Sequence, residues 1–507
     1  MSDTTRLIIA FLLIMVVLFV WQLITPKRSL PPMTSVATKS ETITPPQSLP
    51  TQILKIEQST TSIPETEVIL ENTQVKVVFS NIGASIKSAY LKKYQAELIP
   101  ENSRVLQTQF INDSLTTNYA IIAQDDSSIT FQGPVRKTFV LHSNYSLTMI
   151  IEKENLSTTP YKILYEPGLA FTEKKQTAKD EIRYFSLFYQ DDKKVNKIAA
   201  NKVKSIADKS IENIRWVALK SKYFATILSN PQNQAKCRFQ HLPDGRIGYS
   251  YEPTINASHK YTLYFGPIDY EILKSHRTNW ETLTDLGWTK IFAIAILKVL
   301  KFLYSIFRNY GFAIIVFALI MKGIFFPLTR MTTKQMQQLQ LLQPKIEELK
   351  KKYKDNPQAL NQETMQLYRL YKINPFSGCL PLIFQLPIFW ALYSVLQKTI
   401  ELRGARFAFW LQDLSLKDPY YILPILMGIS FLIQNFLTSA DKRNIALLVF
   451  MPIFLTVIFL NFPSGLQLYW FIFNLLSIVE SIIGRGGIKW QKQIKQQIIT
   501  NQPVTKK

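Results

Sequence analysis

Cysteine and histidine are scarce in this sequence, and their scarcity excludes several kinds of chemistry. Two cysteines occur among the 507 residues, Cys237 and Cys379, and they match neither a redox nor a zinc-binding spacing. One lies in a polar region and the other in an apolar one, so we expect no disulfide between them. All four histidines precede residue 280, which leaves the apolar second half without an imidazole. We therefore predict no metal, no cofactor and no enzymatic activity.

Acidic residues are also few. The chain has 36 Asp and Glu against 59 Lys and Arg, a net charge of +23. In a soluble protein such a surplus suggests nucleic acid. Here the basic residues stand beside apolar segments, so anionic lipid and cytoplasmic ribosomal RNA are better candidate partners. The phosphate-loop motif G-x-x-x-x-G-K-[ST] is absent from the sequence, which therefore shows no such ATP site.

The two halves of the chain differ in polarity. Residues 25–280 are polar, whereas residues 288–483 are mostly apolar. This contrast indicates an integral membrane protein that carries a large soluble domain. We predict a transmembrane signal anchor at 1–24, uncleaved because no small-x-small site follows its apolar run. The Pro-, Thr- and Ser-rich residues 25–66 are expected to form a flexible linker.

Residues 67–280 have the pattern of an all-β domain. Short β-branched and aromatic runs, such as 75–79 and 261–265, are separated by turn signals such as Asp244-Gly245. We predict a β-sandwich that is long enough to fold alone.

Residues 285–308 predict an amphipathic helix that lies in the membrane interface and leads into the next span. At helical spacing, four basic side chains fall within an arc of about 80°, and most of the apolar side chains lie outside it. The four are Lys290, Lys298, Lys301 and Arg308.

Residues 309–483 form the predicted membrane core, a bundle of five helices. Its five apolar segments are long enough to cross a bilayer and cover 311–328, 376–402, 421–437, 445–462 and 466–483. The loop 329–375 holds nine Lys and Arg residues and the tail 484–507 holds six, against three in 403–420. By the positive-inside rule, the loop 329–375 and the tail 484–507 are cytoplasmic. With the anchor, six spans place both termini in the cytoplasm and the β domain outside.

Lys322 is the most informative residue of the core. It lies about two-thirds of the way along segment 311–328, where an ammonium facing lipid would cost about 2.5–3.5 kcal/mol. We expect it to face protein or a wet cavity, the alternative being that its stem reaches the headgroups. Glu480 lies near the cytoplasmic end of the last span, so Lys322 is predicted to have no buried ionic partner.

The loop 329–375 has the pattern of a helical hairpin. Apolar residues recur at three- and four-residue steps on both sides of Asn356-Pro357, a helix-starting pair. The hairpin is either a solvated link between spans or an adaptable surface for apolar client segments, for which Met suits variable partners. The candidate contact residues are Met336, Leu339, Met365 and Leu367.

Several long motifs resemble those of one family. They are LLQPKIEELK around Pro344, and the segments 373–393, 413–428 and 462–476, which contain INPFSGCLPLIFQLPIFWALY, DLSLKDPYYILPILMG and FPSGLQLYWFIFNLL. Together they resemble the YidC family of membrane protein insertases, and the β domain resembles that of its Gram-negative form. The resemblance covers essentially the whole chain.

The resemblance implies a hydrophilic groove that opens to the cytoplasm and to lipid. In the family its basic residue is usually Arg followed by Gly, and here it is Lys322-Gly323, which keeps the charge but not the planar fork. A frequent Thr one turn earlier is Ala318, and a Tyr-Tyr pair is Tyr469-Trp470. Gln385, Gln467 and Asn474 are polar residues within the apolar segments, and we predict that they contribute hydrogen-bonding groups to this groove.

The implied function is membrane protein insertion and chaperoning in the bacterial inner membrane, alone or with the Sec translocon. The implied partners are nascent membrane proteins, the ribosome and signal-recognition-particle targeting machinery, and anionic lipids, with the protein itself a monomer. The rival function is a small-molecule or ion transporter in which Lys322 binds an anion, although no inverted repeat is visible. An intramembrane hydrolase using Ser394 or Ser430, or a sugar-processing β domain, has weaker support.

Overall fold

The computed structural model describes residues 65–485 except for the gaps at 111–117, 153–159, 174–175, 204–209, 231–233, 254–257, 372, 375–379 and 439–444. The predicted anchor at 1–24 lies outside the described residues. So do most of the linker 25–66, nearly all of the tail 484–507, and Cys379.

The first described part of the chain is built from β-strands. Its strands are β1 Glu67–Glu71, β2 Val75–Ser80, β3 Ser85–Leu91, β4 Ala96–Glu97, β5 Gln107–Phe110, β6 Ala120–Gln124, β7 Ser128–Gln132, β8 Arg136–Leu141, β9 Ser146–Glu152, β10 Tyr161–Tyr165, β11 Ser186–Gln190, β12 Val195–Ala199, β13 Ser210–Ile214, β14 Trp216–Lys220, β15 Phe224–Ser229, β16 Ala235–His241, β17 Ile247–Pro253 and β18 Ser258–Pro267. Three short helices interrupt or follow them: α1 Ala178–Glu181, α2 Ala200–Val203 and α3 Tyr270–Ser275.

These strands form three antiparallel sheets around one core. The strand orders are β1-β2-β3-β4, β13-β16-β17-β10-β5 and β12-β11-β14-β15-β18-β9-β8-β7-β6. Alternate side chains of strands such as β8 are buried, which is the pattern of a sheet with one face on the core. Phe79, Ile163 and Leu263, one from each sheet, belong to the same buried cluster. The prediction of a large β domain is confirmed.

The second part of the chain is helical. Its helices are α4 Lys290–Phe307, α5 Tyr310–Lys352, α6 Pro357–Leu370, α7 Leu380–Lys398, α8 Ile422–Thr438, α9 Ile445–Phe459 and α10 Ser464–Arg485. Short 3₁₀ turns cover Trp280–Thr284, Gly287–Thr289 and Ile400–Leu402. By length and composition, α5 and residues Ser464–Ile483 of α10 are long and apolar enough to cross a membrane, and Ile422–Thr438 and Leu448–Phe459 are shorter apolar helices. The predicted helical region is confirmed.

Helix α5 is 43 residues long and joins the predicted span 311–328 to the first arm of the predicted hairpin without a break. Asn309 caps its start by accepting hydrogen bonds from the backbone N–H groups of Gly311 and Phe312. The helix continues past residue 328 because Met, Gln, Leu and Lys, all good helix formers, follow there.

Helix α6 is the second arm of the hairpin. Asn356 accepts a hydrogen bond from the Ala359 N–H, and Pro357 occupies the first turn. A small apolar cluster joins the two arms, comprising Leu339, Leu342, Ile346, Tyr371 and Ile373. The buried members of this cluster come from α5 and from the segment after α6, and Leu367 and Tyr368 of α6 pack against them while partly buried.

Helix α4 has two apolar faces. Leu300 and its neighbours join the core of the helical region, whereas Ile291, Phe292 and Ile306 are exposed. Lys301 forms ion pairs with Asp269, at the end of the β region, and with Glu401 in the turn after α7. The predicted basic arc therefore includes at least one lysine that connects parts of the protein.

A hydrogen bond between α8 and α9 satisfies a backbone carbonyl that a proline leaves without its helical donor. Pro452 lies inside α9 and has no N–H to offer to the carbonyl of Leu448, four residues earlier. Asn435 of α8 donates a hydrogen bond from Nδ2 to that carbonyl at 3.0 Å. The freed backbone group is thereby satisfied inside an apolar region, where leaving it unpaired would cost free energy.

Candidate functional cavity

A cavity of about 290 Å³ lies among α5, α7, α8 and α10. Its lining is unusually polar for a bundle with an apolar exterior. The lining residues are Lys322, Phe325, Thr329, Thr332, Thr333, Met336, Gln337, Gln340, Gln385, Gln434, Leu437, Thr438, Trp470, Phe473, Ser477, Glu480 and Ser481.

The spacing of these residues explains how the sequence builds the cavity. On α5 the lining positions recur at steps of three and four from Lys322 to Gln340, which places them along one helix face. On α10 the same steps run from Trp470 to Ser481. Side chains in contact with α5 and α8 therefore alternate along α10 with residues that face outward, such as Val479 and Ile482.

Lys322 is buried, with 8% of its surface exposed, and it forms an ion pair across the cavity. Its Nζ lies 2.6 Å from Oε2 of Glu480, and the side chains are 10% and 13% exposed. The prediction that Lys322 faces protein rather than lipid agrees with this geometry, but the prediction that it has no buried ionic partner is wrong. Helix side chains lean towards the N-terminus, so Glu480 reaches back from near the end of α10 to the level of Lys322.

Two hydroxyl groups complete the polar contacts of this pair. Lys322 Nζ donates to Ser477 Oγ at 2.8 Å, and Thr329 Oγ1 lies 3.0 and 3.1 Å from the two carboxylate oxygens of Glu480. The ammonium also lies 5.1 Å from the centre of the Phe473 ring, a cation–π distance. Besides each other, the two charged groups thus contact three side chains from α5 and α10: Ser477, Thr329 and Phe473.

Gln385, Tyr469 and Trp470, three of the residues predicted for the groove, lie together at the cavity. Gln385 and Trp470 line it, and Gln385 Nε2 donates a 3.0 Å hydrogen bond to the hydroxyl of Tyr469. Tyr469 itself is fully buried and packs behind the lining against Phe317.

Gln467 and Asn474, the other two predicted groove residues, lie elsewhere in the bundle. Gln467 is fully buried and donates from Nε2 to the carbonyls of Phe459 and Phe462 at 2.8 and 3.0 Å, at the end of α9. Asn474 donates to the hydroxyl of Ser430 at 3.2 Å, which joins α10 to α8. Both side chains are used in helix packing, and neither lines the cavity.

Two buried side-chain polar atoms at the cavity have no hydrogen-bond partner among the described residues. They are Oε1 of Gln434, an acceptor, and Nε1 of Trp470, a donor. Buried polar atoms are nearly always bonded to protein or water, so this pair offers binding positions to water or to a polar guest.

The predicted hairpin residues are divided between three environments. Met336 lines the cavity, and Met365 is exposed on α6. Leu339 is buried in the cluster between the hairpin arms, and Leu367 packs against that cluster. An exposed Leu370 lies near Met365 in sequence, on the last turn of α6.

Sequence reasoning did not select several residues that line the cavity. Glu480, Ser477, Thr329 and Gln434 are the clearest of them. A signal was present for α10, because Trp470, Phe473, Ser477 and Glu480 recur at helical spacing, and the last two of these are polar residues in an otherwise apolar segment. Ser394 and Ser430 do not line the cavity with Lys322. In the part of the chain that the structure describes, no group of His, Cys, Asp and Glu is arranged to hold a metal.

Comparison with known proteins matches both parts of the chain. Residues 67–299 match a family model described as YidC periplasmic domain, and residues 302–491 match one described as 60Kd inner membrane protein. The membrane protein insertase YidC of Geobacter metallireducens is 32% identical over 502 residues, covering 90% of this chain and 91% of that protein. The insertase YidC of Geotalea uraniireducens is 30% identical, covering 94% and 98%.

A solved structure described as an active YidC insertase with its first transmembrane domain resolved is also similar. It is 20% identical, covers 83% of this chain and 93% of its own, and has a TM-score of 0.39. The sequence relatives extend over nearly the whole chain, through the β region and the helical bundle alike. This chain belongs to the YidC family of membrane protein insertases.

Proposed function

We propose that this protein inserts membrane proteins and assists their folding by giving the hydrophilic flank of a client a polar path beside the lipid. The observation that carries the proposal is the cavity around Lys322 and Glu480, a charged and hydroxyl-lined space inside a helical bundle. A family of insertases is the context in which such a cavity has an evident use.

The physical argument concerns the cost of moving polar groups through hydrocarbon. A charged side chain at the bilayer centre costs several kcal/mol, and an unpaired backbone group is also unfavourable there. A client flank in the cavity exchanges water for Thr, Ser and Gln side chains instead of for lipid. The apolar client segment moves along the exposed apolar surface of the bundle, and its partition into lipid drives release.

The exterior of the bundle suits that second step. Exposed apolar side chains cover the helices outside the cavity, including Ile320, Ile324, Ile453 and Ile482. A client helix can therefore keep its apolar face in contact with lipid and protein while its flank occupies the cavity. We assign Lys322, Gln385 and Trp470 to direct contact with the flank, and Tyr469, Gln467 and Asn474 to support of the helices that form the cavity.

The hairpin of α5 and α6 is proposed to receive the client first. Met336 connects it to the cavity, and Met365 presents a flexible apolar side chain on its surface. Leu339 and Leu367 hold the two arms together. The hairpin carries most of the basic residues of 329–375, which supports a cytoplasmic position by the positive-inside rule.

We propose a multi-pass inner-membrane protein with both termini in the cytoplasm and residues 67–280 in the periplasm, acting as a monomer. The ribosome, the signal-recognition-particle machinery and anionic lipids are proposed to contact the basic cytoplasmic segments, and the Sec translocon to cooperate for some clients. The β domain is proposed as a scaffold or docking domain without enzymatic activity.

The transporter alternative is less well supported. A small anion could bind Lys322 only by displacing Glu480, which lies 2.6 Å away, and the relatives that match nearly the whole chain are named membrane protein insertases. The hydroxyl and amide groups of the lining also extend along α5 from Thr329 to Gln340, an arrangement that suits an extended polypeptide flank.

The test is insertion of a small client into vesicles that contain this protein alone. The cavity variant Gln337→Leu/Gln434→Leu removes polar groups without touching the ion pair. Gln124→Leu on the exposed end of β6, outside both the cavity and the hairpin, is the control. We expect the cavity variant to insert a client with a polar flank at least about fivefold more slowly, a change of about 1 kcal/mol, and the control to match wild type. Equal rates for all three proteins would overturn the proposed role of the cavity.

A further inference from the structure

The cavity contains charges of both signs. Among the lining residues that the structure describes, one is basic, Lys322, and one is acidic, Glu480. Their opposite charges cancel. A cavity with a single cation attracts acidic groups. A cavity with a closed ion pair gives an arriving acidic group no free cation to bind.

Glu480 is placed to compete with such a group. Its Oε2 lies 2.6 Å from Lys322 Nζ, within ion-pair distance, and so it occupies the position that a client carboxylate would take. Its side chain is 13% exposed and borders the cavity, so it is not sealed in the core. A carboxylate from a client can reach Lys322 only if Glu480 moves aside.

Glu480 also has a hydrogen-bond donor other than Lys322. Thr329 Oγ1 is 3.0 Å from Oε1 and 3.1 Å from Oε2, so its hydroxyl donates to the carboxylate on the side of the hairpin. Ser477 likewise accepts a hydrogen bond from Lys322. Each charged group therefore keeps one polar partner if the ion pair opens.

We propose that Glu480 is a specificity-determining counter-ion, which competes with acidic client flanks for Lys322 and itself binds basic ones. The inference rests on the proposed insertion function and concerns which flanks the cavity accepts. An acidic flank must displace Glu480, a neutral flank leaves the pair closed, and a basic flank binds the carboxylate. The ligand is a polypeptide segment that carries carboxylate or ammonium groups.

The experiment compares three clients that differ only in a short translocated flank, which is acidic, neutral or basic. Insertion is measured in vesicles with wild type and with Glu480→Gln, which keeps the shape of the side chain and removes its charge. We expect Glu480→Gln to raise the acidic-to-neutral insertion ratio by about fivefold and to lower the basic-to-neutral ratio, since removing a partly exposed competing charge acts on that scale.

A second variant covers the case in which Glu480→Gln folds poorly. Thr329→Val leaves both charges in place and removes the hydroxyl that Glu480 keeps when the ion pair opens. It is therefore expected to lower the acidic-to-neutral ratio, in the direction opposite to Glu480→Gln and by a smaller factor. The double variant Lys322→Glu/Glu480→Lys keeps a pair of opposite charges and is expected to restore the wild-type ranking of the three clients.

The outcomes separate the inference from the function on which it rests. If wild type does not insert the neutral client above empty vesicles, the proposed function fails. If the neutral client is inserted but Glu480→Gln and Thr329→Val change all three clients equally, the pair is only a structural link between α5 and α10 and the inference is overturned. If the charge effect occurs only in vesicles that contain anionic lipid, a lipid headgroup is the competitor and the client-specific inference is wrong.

Discussion

Arg403 Nε lies 2.8 Å from Oε1 of Glu173, which connects the segment after α7 to the β region. The same guanidinium donates to the carbonyls of Tyr94 and Thr172 at 2.9 and 3.2 Å. The Glu173 side chain is only 10% exposed, so this is a partly buried, three-bonded contact. Nearby, Ile400 belongs to the core of the β region. The β domain is therefore fixed to the bundle through the loop that leaves α7.

Arg403→Lys is predicted to loosen that connection although it keeps the charge. A lysine cannot reproduce the planar fork, so at least one of the two carbonyls and part of the Glu173 contact lose their donor. We expect a destabilisation of about 1–3 kcal/mol. Hydrogen exchange at the amides of Leu402 and Ala405 should rise, because both amides bond within this turn.

Arg406→Lys is the matched control for that variant, because Arg406 is exposed and three residues away. Its exchange rates should stay at wild-type values. Equal rates in the Arg403 variant and in the control would show that the β domain is held by apolar packing alone.

Asn435→Ala is predicted to destabilise the contact between α8 and α9. The variant leaves the Leu448 carbonyl without a partner, since Pro452 cannot supply the helical N–H. Polar contacts between helices in membranes contribute about 0.6–2 kcal/mol, and we expect a loss of that order in unfolding from detergent micelles.

The double variant Asn435→Ala/Pro452→Ala distinguishes two effects of losing Asn435. One is the loss of a hydrogen-bond donor to the Leu448 carbonyl, and the other is the loss of side-chain packing. Alanine at 452 restores the N–H that α9 lacks, so the double variant is expected to recover most of the stability lost by Asn435→Ala. If both variants are destabilised by the same amount, Asn435 acts through packing and the account of the freed carbonyl is wrong.

Lys220 gives a prediction about pH. It is 5% exposed and donates to the Leu283 carbonyl, and burial lowers the pKa of its ammonium to about 7. Unfolded, a lysine holds its proton up to a pH of about 10.4, so between these two values the unfolded state binds more protons. The free energy of unfolding therefore rises with pH across this window, by at most about 1.4 kcal/mol per pH unit from this group.

The predicted rise of the unfolding free energy with pH is checked by unfolding the detergent-solubilised protein at pH 7, 8 and 9. Near-ultraviolet circular dichroism monitors the unfolding. Burial also lowers the pKa of Lys137 to about 7 and that of Lys222 to about 8, so they contribute in the same direction. Lys220→Met is expected to make the dependence shallower without reversing it. A slope that is unchanged in Lys220→Met would mean that Lys220 is charged in the folded protein.

The sequence predicts the two-part architecture because its signals are local. Alternation along strands such as β8 and the capping pair Asn356-Pro357 depend on neighbours a few residues apart. The depth of Lys322 in an apolar segment likewise predicts burial without any knowledge of its partner. These features can be predicted because they depend only on the local geometry of helices and strands.

The ion pair of Lys322 with Glu480 could not be predicted in the same way. It depends on how α5 and α10 are rotated against each other and on the direction in which the long side chain of Glu480 leans. Gln467 shows the opposite error. Its polarity in a span suggested a groove, but the carbonyls of Phe459 and Phe462, exposed by the end of α9, bind it locally. Polarity in a span indicates a hydrogen-bond partner, and only the tertiary structure shows which one.

Entry of the client flank into the cavity is tested most directly by a photocrosslink between the cavity and the flank of a ribosome-bound client. A photoreactive phenylalanine derivative would replace Gln434, which lines the cavity, or Phe450, an exposed apolar residue of α9 outside it. We expect the polar flank to crosslink to position 434 and not to position 450, while the apolar segment reaches lipid-facing positions. A flank that crosslinks to neither position, or only to position 450, would show that the cavity does not receive it.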